Sequence, residues 1–175
     1  MTALMDQLLY ALAWISFGAG HSLLAHLPVR VWMQRRVGAA ERLVYNLIAL
    51  VHIGAVLGLG GWLLGDAADF ARPGWLAWGQ GALAVLGGAL LVVALRDYDL
   101  GRFGGLTQLR HGAEDLDRAD AVDPLVTQGL HRYVRHPLYS GAIALLWGLA
   151  SGPFGLATAV WGTLYFVIGA RFEER

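Results

Sequence analysis

The sequence predicts an all-α protein, a polytopic membrane helix bundle of about five transmembrane helices, N-terminus outside and C-terminus in the cytoplasm. Three observations carry this. Of its 175 residues, 57% are hydrophobic, above the ~45–50% apolar usage of soluble domains. Stretches 8–25, 43–65 and 73–95 contain no Asp, Glu, Lys or Arg, and each is long enough for a helix to cross a ~30 Å hydrocarbon core. Arginines crowd alternate connections: Arg30, Arg35, Arg36 and Arg42 in one, and Arg96, Arg102, Arg110, Arg118, Arg132 and Arg135 in another, with Arg72 alone between them. The positive-inside bias then sets the orientation.

The first helix is expected at 4–27. No basic region opens the chain and its first charge is Asp6, so a cleaved signal peptide is not expected. The second and third helices follow at 43–65 and 75–95. The uncharged run 137–170 is too long for one span and short for two. It breaks at Ser151-Gly152-Pro153, where glycine tolerates a turn and proline removes a helix donor. This predicts a hairpin of helices 137–151 and 154–172, all within a single membrane domain, 1–175. The first of the pair is only ~22 Å long, so the hairpin crosses incompletely or distorts the bilayer. Between 95 and 137 lies a cytoplasmic segment, 96–136, amphipathic at first and then acidic over 113–124, which reads as a solvated linker. Gly54/Gly58 and Gly148/Gly152 have the four-residue spacing that lets membrane helices approach closely.

Cysteine is absent, which excludes disulfides, thiolate metal sites and a cysteine nucleophile. The zero formal net charge gives no sign of nucleic-acid binding.

Chemistry concentrates at 131–141, HRYVRHPLYSG. Pro137 suits the first turn of a helix, which places Arg135 and His136 at the unpaired N–H groups and positive dipole end of that helix, a setting that favours carboxylate or phosphate. Tyr139 lies four residues from Arg135 and can share its pocket. Gly141 leaves room for a ligand against the backbone. The hairpin returns the chain to the same place, so Glu173 and Glu174 end beside Arg135 and His136. Carboxylates at a helix C-terminus call for a cationic partner, either Arg135 and Arg171 or a bound cation. An anion site beside a cation site suits a zwitterionic ligand; a positive-inside flank beside a solvated acidic tail accounts for the same residues.

The run Gly129, Tyr133, Arg135, His136, Pro137, Tyr139, Gly141, then Glu173 and Glu174 after two helices, resembles the isoprenylcysteine carboxyl methyltransferase-like superfamily of integral membrane methyltransferases. The likeness is specific over 125–175. Upstream, HSLLAHLPVR from His21 and DYDLGRFGGLTQLR from Asp97 resemble more loosely its bacterial, methanethiol S-methyltransferase-like branch. The chain departs from the family pattern at Leu130, where proline is common, and at His131, where an aromatic residue is frequent.

This resemblance implies an S-adenosylmethionine-dependent methyltransferase whose cofactor pocket faces the cytosol. Gly129, Tyr133, Arg135, His136, Pro137, Tyr139, Gly141, Glu173 and Glu174 would form that pocket. Glu173 and Arg135 are the candidate catalytic residues, with no metal. The acceptor would be a small thiol or a lipophilic, prenylcysteine-like carboxylate, and membrane lipid would surround the protein. His21, ~10 Å inside the first helix, and Asn46, one turn inside the second, suit an acceptor pocket, because ionisable or polar groups inside a membrane are costly and often functional. A hydrogen bond between those helices accounts for them equally. Two other classes resemble the chain. NADPH-dependent sterol-type reductases carry Arg-His-Pro-x-Tyr, with asparagine where Leu138 stands, and denitrification-linked membrane accessory proteins share the bundle.

Overall fold

The computed structural model describes residues 2–111 and 129–174. The acidic stretch 113–124 and the beginning of the motif, 125–128, lie outside the described residues. All regular structure among the described residues is helical: α1 (Ala3–Ala25), α2 (Leu27–Val37), α3 (Glu41–Leu64), α4 (Gly74–Leu95), α5 (Leu100–Gly104), α6 (Leu106–His111), α7 (Pro137–Gly148) and α8 (Pro153–Glu173), with short 3-10 turns at Gly38–Ala40 and Gly129–Arg132.

The 28–42 connection, expected as a loop, is largely the helix α2. Search by apolar run misses it because three arginines interrupt it, yet its boundary signals are ordinary. Pro28 sits in the first turn and Gly38, at φ 56°, closes the end, where a left-handed residue without a side chain costs least. His26 adopts extended backbone and serves as C-cap of α1 and N-cap of α2, so α1 stops at Ala25 rather than at 27. Glu41 opens α3 at the positive end of its dipole. It is 9% exposed and receives the Arg30 Nε–H at 3.3 Å, which fastens α2 to α3.

Four helical stretches are long and apolar enough to cross a bilayer: α1, the continuous run Leu27–Leu64, α4 and α8. The chain is a membrane helix bundle on that ground. The helix expected at 137–151 ends at Gly148. Its 12 residues reach ~18 Å, well short of a ~30 Å core, so α7 is not a full span. Pro153, read from the sequence as a break, instead occupies the first turn of α8 behind Gly152 as N-cap.

Tyr10, Trp14 and Phe17 of α1, Val56 and Leu64 of α3, and Ala157 of α8 form the buried core. Tyr10 is fully buried, and its hydroxyl pairs with Thr158 at 2.8 Å. The Tyr10 ring lies directly over Gly60 of α3, where any side chain would collide with it. Far from the core, Leu50, Val51, Trp62, Trp75, Trp78 and Val85 are exposed, the surface a lipid environment would cover.

α4 packs chiefly on α7 through small residues. A side chain at Gly87 would strike the Leu145 backbone nitrogen, and one at Gly148 would strike Ala84. A Cβ on Gly141 would lie 3.0 Å from Leu91 and 3.1 Å from the Gly87 carbonyl oxygen. The spacing expected to matter at Gly54 and Gly58 does not: both face open space. Only Gly148 of the second expected pair packs against a helix, since Gly152 meets the Asp69 side chain in a loop. At this end Ser151 donates to Asp69 at 3.1 Å, the Phe70 amide donates to the Ser151 carbonyl at 2.9 Å, and Gln80 of α4 donates to the Ala150 carbonyl at 3.1 Å.

Substitution should separate the two glycine classes. Gly87→Val is expected to destabilise the detergent-solubilised protein by about 1–3 kcal/mol, the usual range for overpacking. Gly58→Ala should change stability by under ~1 kcal/mol. Thermal unfolding of the two variants checks this.

Candidate functional site

Pro137 is fully buried and fixes the backbone where α7 starts. His136 immediately before it is the N-cap, but its side chain makes no capping bond. The imidazole turns toward the end of α8, with Nε2 3.2 Å from Glu174 Oε1 and Nδ1 3.4 Å from Glu173 Oε2. The contact to Glu174 is a hydrogen bond, and the one to Glu173 is an ion-pair contact when the ring is a cation. Its ring stacks on Tyr139, with centroids 5.2 Å apart and planes at 8°, and the Tyr139 hydroxyl donates to Glu173 Oε1. Tyr139 also meets Phe166 of α8 at 5.1 Å between centroids. Arg135 reaches Glu174 Oε1 at 3.8 Å with its side chain 85% exposed, a geometry worth little in stability that leaves its remaining donors in solvent.

Of the residues singled out from sequence, five therefore meet: Arg135, His136 and Tyr139 from the start of α7, and Glu173 and Glu174 from the end of α8. Gly141 is not open to a ligand. The space it leaves is filled by α4, and its role is close helix packing. Gly129 adopts φ 63° with the Asp97 carboxylate against it, where a Cβ would lie 2.9 Å from Oδ2. Tyr133 is 80% exposed, with the Arg132 guanidinium 5.9 Å from its ring centroid.

A cavity of about 940 Å³ runs between α1 and α8 and touches this cluster. Tyr139 and Glu173 are at one end of its lining. His21, Ser22 and His26 line it from the α1 side, Tyr45 from α3, and Trp14, Trp161, Tyr165, Phe166 and Phe172 provide aromatic walls. His21 is thus in the lining as expected from its depth, and its partner is Tyr45: the phenol oxygen lies 2.7 Å from Nε2. Phe17, Tyr45 and Tyr165 surround the imidazole at 5.2–6.0 Å between ring centroids. Asn46 is not in the lining. Its amide donates to the Phe103 carbonyl at 2.9 Å, holding α5 against α3. Sequence reasoning chose Asn46 for polarity and passed over its neighbour Tyr45; one helical residue is a ~100° rotation, enough to move a side chain from cavity to loop. Tyr165 was missed too, although a tyrosine within the run 137–170 was a visible signal. His52, the other histidine within a span, lies 3.1 Å from Ser16 Oγ through Nε2 and does not line the cavity. Among the described residues no group of three His, Asp or Glu could hold a metal ion.

Just beyond α4, burial is the main influence that raises the Tyr98 phenol above its ordinary pKa, and the Glu173 and Asp97 carboxylates push it the same way. Tyr98 is thereby coupled to the same glutamate.

The fold and cluster define a membrane helix bundle whose aromatic cavity ends at a cationic and acidic rim. No family model matches the chain, and no solved structure matches it. It is 28% identical over 186 residues to a methanethiol S-methyltransferase of Pseudomonas sp. strain GM41, an alignment covering 100% of this chain and 65% of the relative. It is also 28% identical over 195 residues to the methanethiol S-methyltransferase of Pseudomonas deceptionensis, with the same coverage. The chain thus spans 65% of the length of these curated relatives, and the likeness extends along all of it rather than only the C-terminal third.

The raised Tyr98 pKa has a sign that can be checked. The folded state holds this proton more tightly than the unfolded chain, so the contribution to stability is complete below the unfolded value of ~10 and is lost as pH rises through the folded one. Tyr98→Phe should therefore flatten the fall in thermal stability above pH ~10, measured by melting between neutral and strongly alkaline buffer.

Proposed function

We propose that the chain is an integral membrane methyltransferase that uses S-adenosylmethionine and methylates a small thiol or a lipophilic acceptor. The observation that carries this is the position of the Tyr139–Glu173 pair. It belongs both to the charged cluster at the helix ends and to the lining of the aromatic cavity. Similarity to two methanethiol S-methyltransferases supports the same reading.

The residues present fit the cofactor. Its amino-acid end carries a carboxylate and an ammonium, and Arg135 and His136 stand beside Glu173 and Glu174 to receive both. Its sulfonium and adenine suit aromatic faces, which Tyr139, Phe166 and Tyr165 present. Trp14 adds a buried indole N–H that has no partner among the described residues and lies in the cavity wall. The cavity volume falls at the upper end of small-molecule sites, ~300–1,000 Å³, leaving space for a second, small molecule. When bound, S-adenosylmethionine supplies an electrophilic methyl group on a positively charged sulfur.

The protein's contribution is positional. Transfer is an in-line displacement, so catalysis depends on holding donor and acceptor in line and excluding water. Glu173, fixed by the Tyr139 hydroxyl, offers negative charge toward the cofactor's cationic part. The aromatic walls keep the reacting region dry. Gly129 and Tyr133, in and just after the Gly129–Arg132 turn, lie outside the cavity lining. The arginine-rich ends of α2, α4, α7 and α8 face the cytoplasm of a bacterial inner membrane, placing the charged rim where a soluble cofactor arrives. Lipid surrounds the apolar outer surface, and a lipophilic acceptor has direct access from it.

Isothermal titration of the detergent-solubilised protein tests this. S-adenosylhomocysteine should bind and NADPH should not. His136→Ala is expected to weaken S-adenosylhomocysteine binding at least about tenfold, the loss of one charge-assisted contact, whereas Arg36→Ala on α2 should leave it within about twofold. Binding of NADPH alone would favour a reductase, and silence toward both ligands would favour an accessory protein.

A further inference from the structure

We infer that His21, held by Tyr45, is the group that accepts the proton of a thiol acceptor; this rests on the methyltransferase reading above. A thiol reacts as its thiolate, so methylation of a thiol needs a base in contact with it. A carboxylate acceptor needs none. The cavity holds two kinds of candidate, and their surroundings differ.

Glu173 is committed elsewhere. Oε1 receives the Tyr139 hydroxyl and Oε2 faces His136 Nδ1 at 3.4 Å, so both oxygens already have partners at the helix ends. Glu173 also belongs to the rim that suits the cofactor's charged end. His26 is exposed beyond the end of α1.

His21 is half-buried in α1 and lines the same cavity. Its Nε2 is 2.7 Å from the Tyr45 hydroxyl oxygen, while Nδ1 is 3.4 Å from it. With Nε2–H donating to the Tyr45 oxygen, Nδ1 retains a lone pair for an incoming S–H. The other ionisable groups around it are few. Tyr45 and Tyr165 touch the ring from α3 and α8. Tyr139, Glu173 and His26 share the cavity, and Arg30, Glu41 and Arg42 lie around Tyr45. No acid contacts the imidazole directly among the contacts above.

In the step, the S–H bond breaks and its proton passes to His21 Nδ1, leaving the electron pair on sulfur. That pair forms the new S–CH3 bond as the methyl–sulfonium bond breaks, and the departing sulfur keeps those electrons as a neutral thioether. The imidazolium donates to Tyr45 from Nε2 until its extra proton returns to solvent. Tyr45 is a positioning residue that fixes the orientation of the ring.

The experiment compares two thiols with purified protein and S-adenosylmethionine: methanethiol, largely protonated at neutral pH, and thiophenol, largely ionised. His21→Gln should slow transfer to methanethiol by about 100-fold and transfer to thiophenol by less than about fivefold. Raising pH should restore the methanethiol rate. Tyr45→Phe should show the same selectivity with a smaller loss, and S-adenosylhomocysteine titration shows that each variant retains its cofactor pocket. Equal losses with both thiols, or no loss with methanethiol, would overturn the assignment. If His21→Gln does not fold, Tyr45→Phe decides by the same comparison. Transfer to neither thiol by the unaltered protein would also overturn it. In that case retained S-adenosylhomocysteine binding would leave the methyltransferase reading standing, and loss of binding would remove both.

Discussion

The hydrocarbon core of a bilayer offers no water to hydrogen-bond a buried polar group, and the bundle depends on meeting that constraint between helices. Tyr10 of α1 finds Thr158 of α8, Ser16 of α1 finds His52 of α3, His21 of α1 finds Tyr45 of α3, and Trp147 of α7 finds Thr163 of α8. Each bond joins two helices, so satisfying the polar atoms also specifies which helices are neighbours. Hydrophobicity cannot make that choice, because lipid tails are as apolar as leucine. α4 is attached differently, by backbone approach to α7 through Gly87, Gly141 and Gly148 and by the Gln80 bond to the turn before α8. Loss of one small residue there acts on packing, whereas loss of a polar partner elsewhere strands a donor or acceptor.

The same constraint explains the site. α7 is too short to span, so its polar start cannot be pushed clear of the bundle as a charged flank of a long helix would be. His136 and Tyr139 find partners in the last turn of α8, where unpaired helix carbonyls would otherwise repel Glu173 and Glu174. Each half supplies what the other lacks: donors from α7, acceptors from α8. Because Tyr139 and Glu173 also face the cavity, a structural solution at the helix ends becomes a charged rim on an aromatic chamber. At its other wall, His21 and Tyr45 pair with each other among aromatic rings. The two walls therefore differ in chemistry, charged at the helix ends and aromatic around the His21–Tyr45 contact.

Much of this was legible in sequence, for physical reasons. Uncharged runs long enough to span cannot hide, so α1, α3, α4 and α8 appear at nearly their true limits. The meeting of Arg135 and His136 with Glu173 and Glu174 follows from the Gly152-Pro153 turn, since a hairpin must return the chain to where it began. What depends on rotation about a helix axis was not legible. Asn46 and Tyr45 are adjacent in sequence, yet one braces a loop and the other faces His21. Gly141 and Gly58 look alike in sequence, yet one is clasped by a neighbouring helix and the other faces outward. α2 was hidden for another reason: its arginines break the apolar run, and only its Pro28 start and Gly38 stop betray it.

The central claim is that the beginning of α7 and the end of α8 act as one ligand-binding unit through Tyr139 and Glu173. The most direct measurement is a double-mutant cycle on S-adenosylhomocysteine affinity with Tyr139→Phe, Glu173→Gln and the double variant. Residues that work through a shared bond couple by ~0.5–3 kcal/mol, and a coupling of at least ~1 kcal/mol is expected here. Single effects that simply add, within ~0.3 kcal/mol, would contradict the account and leave the two residues as independent neighbours.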